Sequence, residues 1–156
     1  MNQMTVENLF REVRRVFIVT AGGAVLGLLA VFLLHTAGIA VTPPLFSVRA
    51  WGILTLILSV LFGVALPILM RTYYHEYRFR KRTADHLSYR KLQINLVIVS
   101  TLGAYVALVA YLFSVAKLHL GASVIAGIYG VYSSIPSKGK HKADMNYYGL
   151  TESSEA

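Results

Sequence analysis

The 156 residues include no cysteine, which removes disulfides, thiolate metal sites, iron–sulfur clusters and cysteine nucleophiles from consideration. Five histidines are then the first side chains to weigh. His35 and His119 stand at the ends of long apolar runs. Two imidazoles on different helices of a bundle can ligate a haem iron from both sides. The pair is therefore a candidate site for haem b, or for a quinone, in a membrane anchor for electron transfer. A plainer reading is that each ring marks a helix end at a wet boundary, where a half-polar side chain is at ease. His75, Glu76, Asp85 and His86 form a second group. His75 and His86 are eleven residues apart, about 16 Å along a continuous helix, too far to share one metal ion. No metal site is expected, and His141 has no evident partner in the sequence. Phosphate loops, dinucleotide fingerprints, paired zinc histidines and nucleophile elbows are all missing, so no catalytic residue is assigned.

The elements that would position these residues are four apolar stretches, 16–38, 50–70, 92–116 and 118–135. None contains Asp, Glu, Lys or Arg. A helix needs roughly 20 apolar residues to cross the hydrocarbon, and the fourth stretch is near the lower limit. Charged residues make up only 14% of the chain, against about a quarter in soluble domains. The pattern predicts an all-α polytopic membrane protein with four transmembrane helices.

Basic residues orient it. Arg11, Arg14 and Arg15 precede the first stretch, seven more lie between the second and third, and Lys138, Lys140 and Lys142 follow the fourth. Of the fifteen, only Arg49 and Lys117 fall in the other gaps. Flanking cations resist translocation, which predicts an N-in/C-in topology. The net charge of +8 then sits beside anionic headgroups rather than nucleic acid. The first apolar run exceeds the 7–15 residues of a signal-peptide core and is expected to remain as a span.

Residues 1–15 read as a cytoplasmic amphipathic segment, or equally as a helical extension of the first span. Pro43 and Pro44 mark the outer loop, Trp51 the outer end of the second span, and Pro67 a kink near its inner end. Residues 71–91 read as a basic loop. Its Arg71, Arg78, Arg80, Lys81 and Arg82, interleaved with tyrosines, suit anionic lipid or an acidic partner. Helix-packing positions are Gly23, Gly27, Gly103, Ala122, Ala126, Gly127 and Gly130, since small residues let backbones approach. The fourth span is the richest in them and is expected to be the most enclosed helix or an oligomer interface. Residues 137–156 read as a polar cytoplasmic tail.

The first and third stretches share a pattern at constant offset, with Gly23-Ala24 against Gly103-Ala104. The second and fourth share Phe62-Gly63-Val64 against Tyr129-Gly130-Val131. Two hairpins from a tandem duplication would produce both matches. The spans lack the ionisable residue that proton-coupled carriers usually place in the membrane. The expected role is a non-catalytic accessory subunit or interaction partner of a larger membrane complex. The alternatives are the haem- or quinone-binding anchor and a homo-oligomeric pore lined by the fourth span. A bacterial inner membrane is the expected location, since the chain is compact and carries no evident organelle address.

Overall fold

A computed structural model describes residues 6–39, 41, 47–79 and 85–150, without the side chains of 78 and 79. Most of these residues are helical, and no strand occurs among them. α1 (Val6–Thr36) runs unbroken through the basic N-terminal segment and the first apolar stretch. The amphipathic segment is thus the start of the span helix, and it buries Leu9 and Val13. α1 stops at Gly38, whose φ of 74° lets the Ile39 N–H reach back to the Leu34 carbonyl at 3.0 Å.

α2 (Val48–Val60) begins at Ser47, whose hydroxyl caps the Ala50 N–H. It continues through a π-helical turn, Leu61–Ala65, into α3 (Leu66–Tyr74). Pro67 explains the turn. A proline has no N–H and its ring crowds the carbonyl four residues back, which a widened turn relieves. A second π turn, His75–Phe79, prolongs this helix into the region read from sequence as a loop. α4 (His86–Leu112) starts at a capping box in which Asp85 accepts from the Ser88 N–H at 2.9 Å. A tight turn with Ser114 at φ 48° leads to α5 (Lys117–Ser133). α6 (Lys138–Tyr147) follows at a 70° bend around Pro136.

Directions follow from contacts at the helix ends. Glu12 of α1 pairs with Arg90 near the start of α4, and His35 lies edge-on to Tyr111 near its finish. α1 and α4 are therefore parallel. Trp51 at the start of α2 meets Phe113 at 5.0 Å, and Tyr74 at the end of α3 meets Tyr89 at 6.3 Å. The α2–α3 rod is therefore antiparallel to α4. His119 packs on Gly52, which sets α5 parallel to α2.

Three helices, those containing Val6–Thr36, Val48–Tyr77 and His86–Leu112, are long and apolar enough to cross a membrane. α5 reaches that standard only when joined to α6 across the bend. α4 is central, packing on α1, α2, α3 and α5. It buries 39% of its apolar window, against 22% for α2–α3 and 6% for α1. α4 has ten buried residues and α5 four, so of the two readings of the fourth span, most enclosed helix or oligomer interface, the first is corrected. The small residues Ser123, Ala126, Gly127 and Gly130 of α5 lie on one buried face against α2 and α4, while Ile125, Ile128 and Tyr132 on the other face stay exposed. α1 packs along α4 rather than along its sequence neighbour α2, whereas α4 and α5 pack as a close hairpin. The two hairpins are not assembled alike.

Candidate interaction surface

Close approach of backbones dominates the bundle centre. A Cβ on Gly103 would stand 2.9 Å from the Cα of Gly63, and one on Gly63 would stand 2.5 Å from the carbonyl oxygen of Ala126. A Cβ on Gly130 would meet the Ser100 carbonyl oxygen, and one on Gly127 the Cα of Ala104 at 3.0 Å. Three helices thus meet at Gly63, Gly103 and Gly130 with no side chain between them. The Ser59 hydroxyl donates to the Gly103 carbonyl at 3.4 Å within this node. Ala126 is buried beside it, and Ala122 is half-buried one turn away. In the sequence, Gly63 is marked only by the Phe62-Gly63-Val64 match to Tyr129-Gly130-Val131, and its place in the node comes from the packing. Gly23 and Gly27 instead accommodate the Tyr105 hydroxyl and the Leu108 side chain of α4. The Tyr105 hydroxyl donates to the Thr20 carbonyl at 2.8 Å, pinning α1 to α4.

α1 and α5 both pack against α4 and leave an apolar groove between them, about 350 Å³ in volume. Ala21, Ala24, Ala104 and Gly127 form its floor, with Val25 and Ile128 on its walls. The floor is small enough for another backbone to come close. Beyond the groove, α1 exposes Ile18, Val19, Leu26, Leu29 and Leu33.

His35 and His119 occupy different surroundings. His35 Nε2 is 3.5 Å from the Ser114 hydroxyl and its ring is edge-on to Tyr111. His119 lies against Gly52, and its Nδ1 is buried without a hydrogen-bond partner. Neither ring lines the groove. His75 stacks on Tyr147 at 5.9 Å, away from any shared ligand set. Among the described residues no three of His, Asp or Glu gather closely enough to hold a metal ion.

Of the basic group, Arg71 is exposed on α3, and Arg78 belongs to the second π turn. Arg80, Lys81 and Arg82 lie outside the described residues. The stretch that reads as a polar tail in the sequence forms a helix, α6. α6 docks at the basic end of the bundle by burying His141 and Met145, and Leu150 follows them into a core with Leu9, Val13, Tyr74 and Tyr89. His141, Met145 and Tyr148 recur at helical spacing, a signal present but easily lost among the lysines. The N-terminal part of α1 meets α6 directly. Lys138 Nζ is 2.8 Å from Glu7 Oε2, and Phe10 is edge-on to His141 at 6.4 Å. Burial among these groups makes His141 harder to protonate than a free imidazole, and Lys140 adds to the effect while Asp144 opposes it.

No family model, curated protein or solved structure matches the chain.

Proposed function

We propose that this chain is a non-catalytic integral membrane protein, with four crossings and both ends on the cytoplasmic face, that serves as an accessory subunit or interaction partner of a larger membrane assembly. Its groove between α1 and α5 receives a transmembrane helix of the partner. The observation that carries this reading is the one-sided attachment of α1, only 6% buried along its apolar window, beside a floor of small residues. A chain whose only neighbours were lipids would gain little from such a floor, because small surfaces improve contact only when another backbone approaches. Four crossings are favoured by the meeting of α6 with the start of α1, since a chain whose two ends share a face crosses an even number of times. The cytoplasmic assignment comes from the basic residues collected at that end. A bacterial inner membrane is the proposed location. The pore alternative has less support, because the small face of α5 is already engaged within one chain.

The test combines site-specific photocrosslinking with gentle purification from native membranes. A crosslinker at Ile128 in the groove should capture one stoichiometric membrane polypeptide, and one at the exposed Ile57 of α2 should not. Ala21→Leu should abolish co-purification while the purified chain melts as before. Recovery of only the lone chain, with lipid as the sole adduct at Ile128, overturns the reading.

A further inference from the structure

We infer that the mouth of the cleft where α3, α4 and α6 meet at the basic end binds a phosphate group between Arg71 and Lys140, with the buried Gln93 and His141 lining the cleft behind it. The first observation is an unpaired polar group. His141 is 2% exposed and lines this cleft, yet neither ring nitrogen has a hydrogen-bond partner. Buried imidazoles are rarely left so, because each nitrogen loses water without replacement. Gln93 adds a second buried polar side chain to the same wall.

The second observation is charge. Lys140 and Arg71 share the cleft, and neither has an ion-pair partner among the described residues. Lys140 loses basicity through burial and through the neighbouring guanidinium, with Asp144 the opposing influence. Asp144 is itself engaged by the Tyr89 hydroxyl at 3.3 Å. Two cations against one carboxylate leave one positive charge uncompensated, which matches a phosphodiester monoanion.

Size places the ligand at the mouth. The inner space is about 10 Å³, at the lower bound for a single water molecule. The phosphate would therefore sit between the Arg71 and Lys140 side chains, with a water behind it reaching His141. Two sources carry this chemistry: the headgroup of an anionic phospholipid and free inorganic phosphate. The cleft shares Ile135 with the apolar groove, so a headgroup here would have its acyl chains against apolar surface.

The experiment uses the full chain in detergent, with native mass spectrometry and a melting curve followed by Trp51 fluorescence. The probes are phosphatidylglycerol, a galactolipid without phosphate, and inorganic phosphate. One phosphatidylglycerol should be retained per chain in preference to the galactolipid. Arg71→Gln combined with Lys140→Gln should weaken retention at least tenfold, about 1.4 kcal/mol. Lys140→Arg, and Lys117→Gln at the opposite end, should leave it intact. A variant that melts like the native chain excludes misfolding as the cause. Failure of tens of millimolar phosphate to displace the lipid assigns the site to a headgroup. Displacement, or stabilisation by phosphate alone that the double variant loses, assigns it to the free ion. Equal retention by native chain and double variant, with no phosphate effect on either, overturns the inference.

Discussion

Gly63→Ala is the most incisive perturbation of this fold. The new Cβ would lie 2.5 Å from the carbonyl oxygen of Ala126 and 3.1 Å from its carbonyl carbon. Carbon-to-oxygen contacts normally settle near 3.3–3.6 Å, so about 0.8 Å must be found. Both contacted atoms are α5 backbone, so no rotamer change can supply it. If α5 withdraws as a rod, it also leaves the sites where Gly130 faces Ser100 and Gly127 faces Ala104. Overpacking of this kind costs about 1–3 kcal/mol. For a chain of this length that corresponds to a fall of about 2–4 °C in melting temperature per kcal/mol. Gly22→Ala and Gly121→Ala are the controls, because a Cβ at either position meets nothing within 4 Å. Alanine there gains up to about 1 kcal/mol of helix propensity. The single tryptophan, Trp51, rests on Phe113 across the α2–α4 contact, so its fluorescence reports separation of these helices. Melting Gly63→Ala in detergent beside the two controls gives the comparison. If it melts with them or above them, the three-helix glycine node is not where the bundle is held.

Acid should loosen α6 before it unfolds the rest. His141 has a depressed folded pKa, so its contribution to stability is complete above the ordinary imidazole value of 6.5 and is lost as pH falls through the lower folded value. The charged groups facing it are Asp144, Lys140 and Arg71. Amide protection factors across 138–147, each measured rate being referred to the intrinsic rate at the same pH, should fall below pH 6.5 in the native chain, and His141→Leu should flatten that dependence; parallel profiles for both would refute the assignment. Topology is also directly readable, because the chain has no cysteine of its own. Ser137→Cys should react only with a reagent supplied from the cytoplasmic side and Arg49→Cys only from the opposite side, and labelling of both from one side would refute four crossings.

The helices were legible because each is written as a long uncharged run, a signal that survives any tertiary arrangement. What surrounds them was less so. The second helix passes beyond residue 70 to Phe79 because arginines and tyrosines are no obstacle to helix once apolar residues cease, so loss of hydropathy is not loss of structure. The π turn before Pro67 has no marker apart from the proline itself. Relative burial failed for a different reason. Small residues on α5 announce that something comes close, but only the packing reveals that they form one face and that α4 is the helix with neighbours on several sides. His35 and His119 look equivalent as run-ending histidines, yet Tyr111 and Gly52 give them different environments. The repeat is legible in the same limited sense. Gly23 and Gly103 correspond in sequence, but one faces a tyrosine hydroxyl and the other the backbone of Gly63.

The basic end gains its meaning from α6. Read by length, α5 is the doubtful crossing: its 17 residues span about 25 Å, short of a 30 Å hydrocarbon layer. Composition alone would permit a chain of three crossings whose last helix stopped partway. The contacts of α6 argue otherwise. Glu7, Phe10 and Leu9 belong to the first turns of α1, and they meet Lys138, His141 and the core holding Met145. For these groups to touch, α5 must return the chain to the end of the bundle at which α1 begins. In the proposed four-crossing arrangement, Ser134 and Ile135, which follow the last residue of α5, add to its length before Pro136 turns α6 aside. The polar tail that looks incidental in sequence is therefore the segment on which the proposed even number of crossings rests, and Lys138, Lys140 and Lys142 lie on the helix that meets the start of α1.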